Sequence, residues 1–119
     1  MIKKGLKSLL PTLKERKRYL AFEVISKEKI GNFSSISSAV WAKTKEFLGE
    51  LGLAKAGIWL LPDKWNSSKQ TGIIRVSHKH VNELKASLAL IKNIDNFPVI
   101  VRSIGVSGML NKTERFMMN

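Results

Sequence analysis

Cysteine is absent from this chain, and that gap removes disulfides, thiolate nucleophiles and thiolate metal sites together. Acidic residues are scarce: 9 Asp and Glu face 21 Lys and Arg, a formal charge of +12. Repulsion at that density costs stability, so a polyanionic partner is the natural explanation. No apolar run approaches the ~20 residues that span a bilayer. Lys3-Lys4 ahead of Leu6 to Leu10 falls short of a signal peptide, because Lys7, Ser8 and Pro11 break the run. No membrane association is expected, and the lack of cysteine favours the cytoplasm. Nucleophile-elbow glycines, a phosphate-cradling glycine loop and HExxH are missing too. His78 and His80 are the only histidines, too few to build a metal site without cysteine. No catalytic residue, metal site or protein-bound cofactor is expected.

What is present suits one domain over residues 1–119. Ile2, Leu6, Leu9, Leu10 and Leu13 among lysines predict a basic helix within residues 1–15, ended or kinked by Pro11. Arg16 to Ser26 reads as a first strand, with Leu20, Phe22 and Val24 on one face and Tyr19, Ala21, Glu23 and Ile25 on the other. Ser34 and Ser35 are expected to cap a helix carrying Ile36, Val40, Phe47, Leu48 and Leu51. Gly49 and Gly52 should stop it near Leu51. Lys55 to Leu61 reads as a second strand cut by Pro62, and a polar loop, Asp63 to Gln70, carries Trp65. Thr71 to Ser77 is a third strand. Ser77 then caps a helix with Val81, Leu84, Leu88 and Ile91 on one side, fraying at Asn93 to Asn96. Phe97-Pro98 opens a fourth strand from Val99 to about Val106. Residues 109–119 form a last helix or tail with Leu110, Phe116 and Met117 as its apolar side.

Strand, helix, strand, strand, helix, strand is the ferredoxin-like βαββαβ plan, the RNA-recognition-motif architecture included. It is an α+β fold: a four-stranded antiparallel sheet, helices on one face and an extra helix at each end. The open face would show Tyr19, Ala21, Glu23, Ile73, Arg75, Ile100, Arg102 and Ile104. Arg75 is the only arginine inside a β-branched run, Gly72-Ile73-Ile74-Arg75-Val76. Two readings stand open. Glu23 between Arg75 and Arg102 can be a self-neutralising structural cluster, or the guanidiniums can reach RNA phosphate or a partner's carboxylate. The third strand has no aromatic, so the usual base-stacking signature is lacking and Tyr19 alone is left to stack. The isoleucines need cover, which Leu6, Leu9, Leu10, Met109, Leu110 and Phe116 of the terminal helices are expected to supply. That would close the face to bases. Trp41, Trp59 and Trp65 read as core or interface anchors, and Trp65, in its polar loop, is the candidate partner contact.

In order along the chain, Arg16-Lys17-Arg18-Tyr19-Leu20-Ala21-Phe22-Glu23, Phe47-Leu48-Gly49-Glu50-Leu51-Gly52, Gly72-Ile73-Ile74-Arg75-Val76 and Val106-Ser107-Gly108 resemble one known family. It is component 2, the small protein subunit of archaeal ribonuclease P, shared with the eukaryotic enzyme. The similarity covers roughly Lys14 to Leu110. One departure is visible: the family often follows Ser-Gly with Thr, where this chain has Met109. The resemblance implies a ribonucleoprotein endonuclease that removes the 5′ leader of precursor tRNA. In it the RNA carries the catalytic site and its magnesium ions, and the chain acts as an enzyme only as a subunit. The implied partners are ribonuclease P RNA, precursor tRNA as substrate, and a barrel-shaped protein subunit, component 3. A homodimer or a two-plus-two assembly is also implied.

From Met1 to Arg18, seven basic residues stand against Glu15 alone, so half the net charge lies there. Lys14, Arg16, Lys17, Arg18, Lys112 and Arg115 are the RNA-binding candidates, with Arg75 after them. Two rivals come from other classes. An acylphosphatase-type enzyme needs a glycine-rich loop after the first strand, and Ser26 to Gly31 offers one glycine. A ferredoxin-like protein scaffold with a different RNA or acidic partner fits the charge as well. Charge reversal at Arg16, Lys17 and Arg18 should flatten the salt dependence of RNA binding by roughly 0.7–0.9 log units per lost phosphate contact. Filter binding over a salt series measures it, and an unchanged slope would remove RNA from the reading.

Overall fold

The computed structural model describes residues 16–118. The expected helix within residues 1–15, with Lys14 and the leucines Leu6, Leu9 and Leu10, lies outside them. In chain order the elements are β1 (Lys17–Ile25), α1 (Phe33–Ala56), β2 (Trp59–Leu60), β3 (Thr71–Ser77), α2 (Val81–Ala89), β4 (Asn93–Ile94), β5 (Phe97–Pro98), β6 (Ile100–Ser107) and α3 (Leu110–Met117). Short 3-10 turns at Pro62–Lys64 and His78–His80 follow β2 and β3. The main sheet runs β2-β3-β1-β6, each neighbour antiparallel. That is the ferredoxin-like order, and a separate hairpin, β4-β5, stands beside it.

Alternation in β1 fixes the layers. Leu20, Phe22 and Val24 join Leu60, Ile74, Val76 and Val101 beneath Ile36 and Val40 of α1 and Leu84 and Leu88 of α2. Burying each such side chain contributes about 1.5–3 kcal/mol, enough to set which face is inside. A bulge between Ala21 and Phe22 shifts the β1–β6 register by one residue. Val101 and Val106 can therefore both turn to the core, although five positions apart.

Several boundaries differ from the sequence reading, each for a local reason. Asn32, not Ser34 or Ser35, caps α1: its Oδ1 accepts the Ser34 N–H at 3.0 Å. Gly49 leaves helical geometry (φ 76°, ψ 172°) but only kinks the helix, which resumes and ends at Gly57 (φ 60°). Lys55 and Ala56 are therefore helical, and the second strand shrinks to two residues. Asn93 to Asn96 does not fray. Asp95 and Asn96, both at positive φ, turn the tight β4-β5 hairpin that takes Phe97 and Pro98.

Trp65 is the largest correction. Its ring stacks on Phe22 at 6.2 Å between centroids and meets Phe33 at 6.1 Å. The loop that carries it is tied down: the Gln70 side chain accepts from the Ile30 N–H at 2.9 Å and donates to Ile30 O at 3.0 Å and Ser67 O at 2.7 Å. A polar loop sequence thus delivers a half-buried ring packed against the core rather than a projecting anchor. Gly72, opposite Phe22 in register, leaves room for both rings. A Cβ there would stand 2.8 Å from Phe22 and 3.1 Å from Trp65. Gly72→Ala should therefore destabilise by about 1–3 kcal/mol through overpacking, seen as a lower urea midpoint at unchanged slope.

Candidate nucleic-acid interface

The sheet face away from α1 and α2 carries three zones. In the middle, Ala21 and Ile73 are fully buried, because α3 crosses β6, β1 and β3. Phe116 lies on Gly105, so close that a Cβ at 105 would fall 2.5 Å from its ring. Thr113, also buried, donates to Tyr19 O at 3.3 Å and to Met109 O at 3.0 Å. Lys64 pairs with Glu114 at 2.6 Å, and Lys69 Nζ donates to Met117 O at 3.5 Å. The hydrogen bond and charge of Glu114 hold the Lys64 ammonium above its ordinary value. A raised folded-state value means the contact is complete below the free-lysine range and is lost as alkali titrates Lys64. At neutral pH the clamp is closed. Of the C-terminal residues expected to cover this face, Phe116 does so, whereas Met109 is exposed.

At one end of the face, Arg102 Nε donates to Glu23 Oε1 at 2.7 Å. Arg75 does not join them. Glu23 stands opposite Thr71, while Arg75 stands opposite Tyr19, four residues or roughly 13 Å along the strand. The expected Arg–Glu–Arg cluster is therefore a single exposed pair.

At the other end of the sheet, Arg16, Lys17 and Arg18, on alternating sides of the strand, meet no carboxylate among the described residues. Arg16 lies just before β1, where its carbonyl accepts from the His78 N–H at 2.9 Å. Lys17 reaches over the sheet toward Gly57. Arg18 donates to Lys17 O and reaches toward Gly108, which leads into α3. Lys112 and Arg115 are exposed on α3, flanking the inward Thr113 and Phe116. None of Arg16, Lys17, Arg18, Arg75, Lys112 and Arg115 pairs with a carboxylate among the described residues. Glu46, Glu50 and Glu114 are taken by Lys43, Lys45 and Lys64. The fold brings Arg18 to the start of α3 and, among the described residues, leaves the charge of the β1 cations without a carboxylate partner, which suits a polyanion.

Sequence reasoning left Trp59 unplaced. Ile58 and Leu60 go to the core, so Trp59 faces outward beside Arg75, 57% exposed. The alternation Ile58-Trp59-Leu60 carried that signal. Among the described residues no three His, Cys, Asp or Glu side chains converge as metal ligands, and no helix is long and apolar enough to cross a membrane.

The sequence model of the Rpp14/Pop5 family matches residues 18–118. Ribonuclease P protein component 2 of Pyrococcus furiosus is 42% identical over 109 residues, covering 92% of this chain and 88% of that protein. The protein of the same name from Thermococcus kodakarensis is 41% identical over the same shares. Its Methanocaldococcus jannaschii namesake is 34% identical, with 92% and 78% covered. A chain in the cryo-EM structure of yeast ribonuclease MRP matches at a TM-score of 0.61 over 87% of each chain. At 13% identity that likeness is one of fold.

The separation of Arg75 from Glu23 has a measurable consequence. A double-mutant cycle on folding stability between Glu23 and Arg102 should give about 0.2–1 kcal/mol of coupling, as for an exposed pair. The Glu23–Arg75 cycle should give none within error.

Proposed function

The chain belongs to the Rpp14/Pop5 family, and from that premise we propose that it works as a protein subunit of ribonuclease P. The observation that supports this reading is that Arg16, Lys17, Arg18, Lys112 and Arg115 pair with no carboxylate among the described residues. Guanidinium and ammonium groups placed there neutralise phosphates that would otherwise repel one another. A large RNA can then pack closely with less magnesium. In this proposal the assembly removes the 5′ leader of precursor tRNA in the cytoplasm, and the RNA holds the reacting phosphodiester. The magnesium ions, in this proposal, belong with the RNA, and no step is assigned to this chain's side chains. Lys14, outside the described residues, stays an RNA-binding candidate on its charge alone.

A second protein subunit, component 3, is proposed as the protein partner, with a two-plus-two assembly as one arrangement. Trp65, half-buried against Phe22, is not a projecting anchor. The outward side of α1 is available, with Trp41, Phe47 and Leu51 exposed beside a cleft of about 700 Å³ between Ala39, Phe47 and Leu90.

Reconstitution tests the reading. Candidate RNA and the second protein are combined with and without this chain, and precursor cleavage is scored over a magnesium series. The chain should lower the magnesium needed for half-maximal cleavage. Identical curves in its presence and absence would sink the subunit role, and retention only on the protein partner would leave a scaffold.

A further inference from the structure

At the end of the sheet that α3 leaves open, four residues form one row on one face. Trp59 of β2 stands beside Arg75 of β3, Arg75 beside Tyr19 of β1, and Tyr19 beside Ser107 of β6. Neighbours in such a row stand about 4.5–5.5 Å apart. Lys17 lies in the adjacent row, opposite Ser77. The Arg75 Nε is shielded from solvent and has no hydrogen-bond partner. Glu23 on the same face stands four residues along the sheet, paired with Arg102. A shielded donor without an acceptor costs stability unless something supplies the acceptor. What would do so must carry an acceptor or a negative charge, and must also tolerate an indole on one side and a phenol ring on the other.

We infer that the Trp59–Arg75–Tyr19 row binds an unpaired nucleotide of an RNA strand, its base stacked on an aromatic ring and its phosphate or base edge accepting from Arg75. Aromatic rings stack any base, and arginine adds a planar donor. An acidic protein segment would satisfy the charge but leave the exposed indole without a flat partner. A duplex keeps its bases stacked within itself and offers the row only phosphate. The inference deepens the ribonuclease P reading, since it names the kind of RNA this face takes, and it rests on that reading for the RNA's source. It proposes an opening at one end of a sheet that the sequence reading expected to be closed to bases. α3 covers Ala21, Ile73 and Gly105, whereas Trp59 at the end of the row stays exposed.

The test uses the full chain with a 5′-labelled single-stranded oligouridine and a duplex RNA of equal length, read by fluorescence anisotropy over a salt series. Trp59→Ala should weaken single-strand binding by roughly 5–150-fold and leave duplex binding within twofold. Trp59→Phe should recover most of the loss. Arg75→Gln should weaken binding and lower the single-strand salt slope by about 0.7. Thermal melts establish that each variant folds; Trp59 is on an edge strand and exposed, so its variants keep the core. Three results would overturn the row: wild-type chain that fails to bind the single strand, Trp59→Ala that binds it unchanged, or equal losses on both RNAs. The same variants in the reconstituted assembly separate the two readings. Cleavage that needs the chain but ignores the row, with single-strand binding intact, removes the row and keeps the subunit. Cleavage indifferent to the chain, with single-strand binding lost in Trp59→Ala, does the reverse.

Discussion

The ring of Phe116 rests where a side chain at position 105 would have to stand. That contact depends on the bulge beside Ala21, which changes the parity of β6 midway along its length. Before the bulge Arg102 faces outward to meet Glu23; after it Gly105 and Ser107 do, and Val106 returns to the core. Strict alternation would instead put Ile104 and Val106 on the outer face and Gly105 inside, giving α3 a bulky surface with no slot. The glycine makes the slot, the ring fills it, and Thr113 then reaches the Tyr19 carbonyl. Three distinct zones on one sheet face follow from the register shift of a single strand pair.

The same geometry sorts the charges. A chain this basic has few carboxylates to spend, and four of them are fixed by lysines or an arginine at the helices, at the α3 clamp and at the far end of the sheet. Among the described residues the start of β1 receives none. An ion pair on a surface contributes about 0–1 kcal/mol to folding, so this arrangement does little for stability. Its effect is on the field, which is left unbalanced on one side of the molecule.

Much of this was legible from residue order, and what was not has identifiable causes. β3 was readable to the residue, because Thr71 to Ser77 is a β-branched run bounded by a polar loop and a capping serine. The inward set of β1 followed from alternation. Helix ends were harder: Gly49 looks like a stop, yet a single residue at positive φ kinks a helix as well as ending it, and only packing after the kink decides. Trp65 misled because loop composition says nothing about a ring that folds back under Gly72. The pairing of Glu23 with one arginine rather than two required register, and register is set across strands.

The basic side chains outside the row and the row itself ask different things of an RNA. Exposed Arg16, Lys112 and Arg115 follow a phosphate over several ångströms, at some cost in side-chain entropy but with little demand on geometry. Arg75 is held differently: β3 is paired on both sides at that position, by Trp59 and by Tyr19. Its backbone freedom is already spent in folding, so a ligand that fits the row orders little that is not ordered already. Long-range attraction therefore falls to those basic side chains and fixed geometry to the row. The shared β1 backbone joins them, since Arg16 precedes the strand, Arg18 neighbours Tyr19, and the Tyr19 carbonyl anchors the helix that carries Lys112 and Arg115.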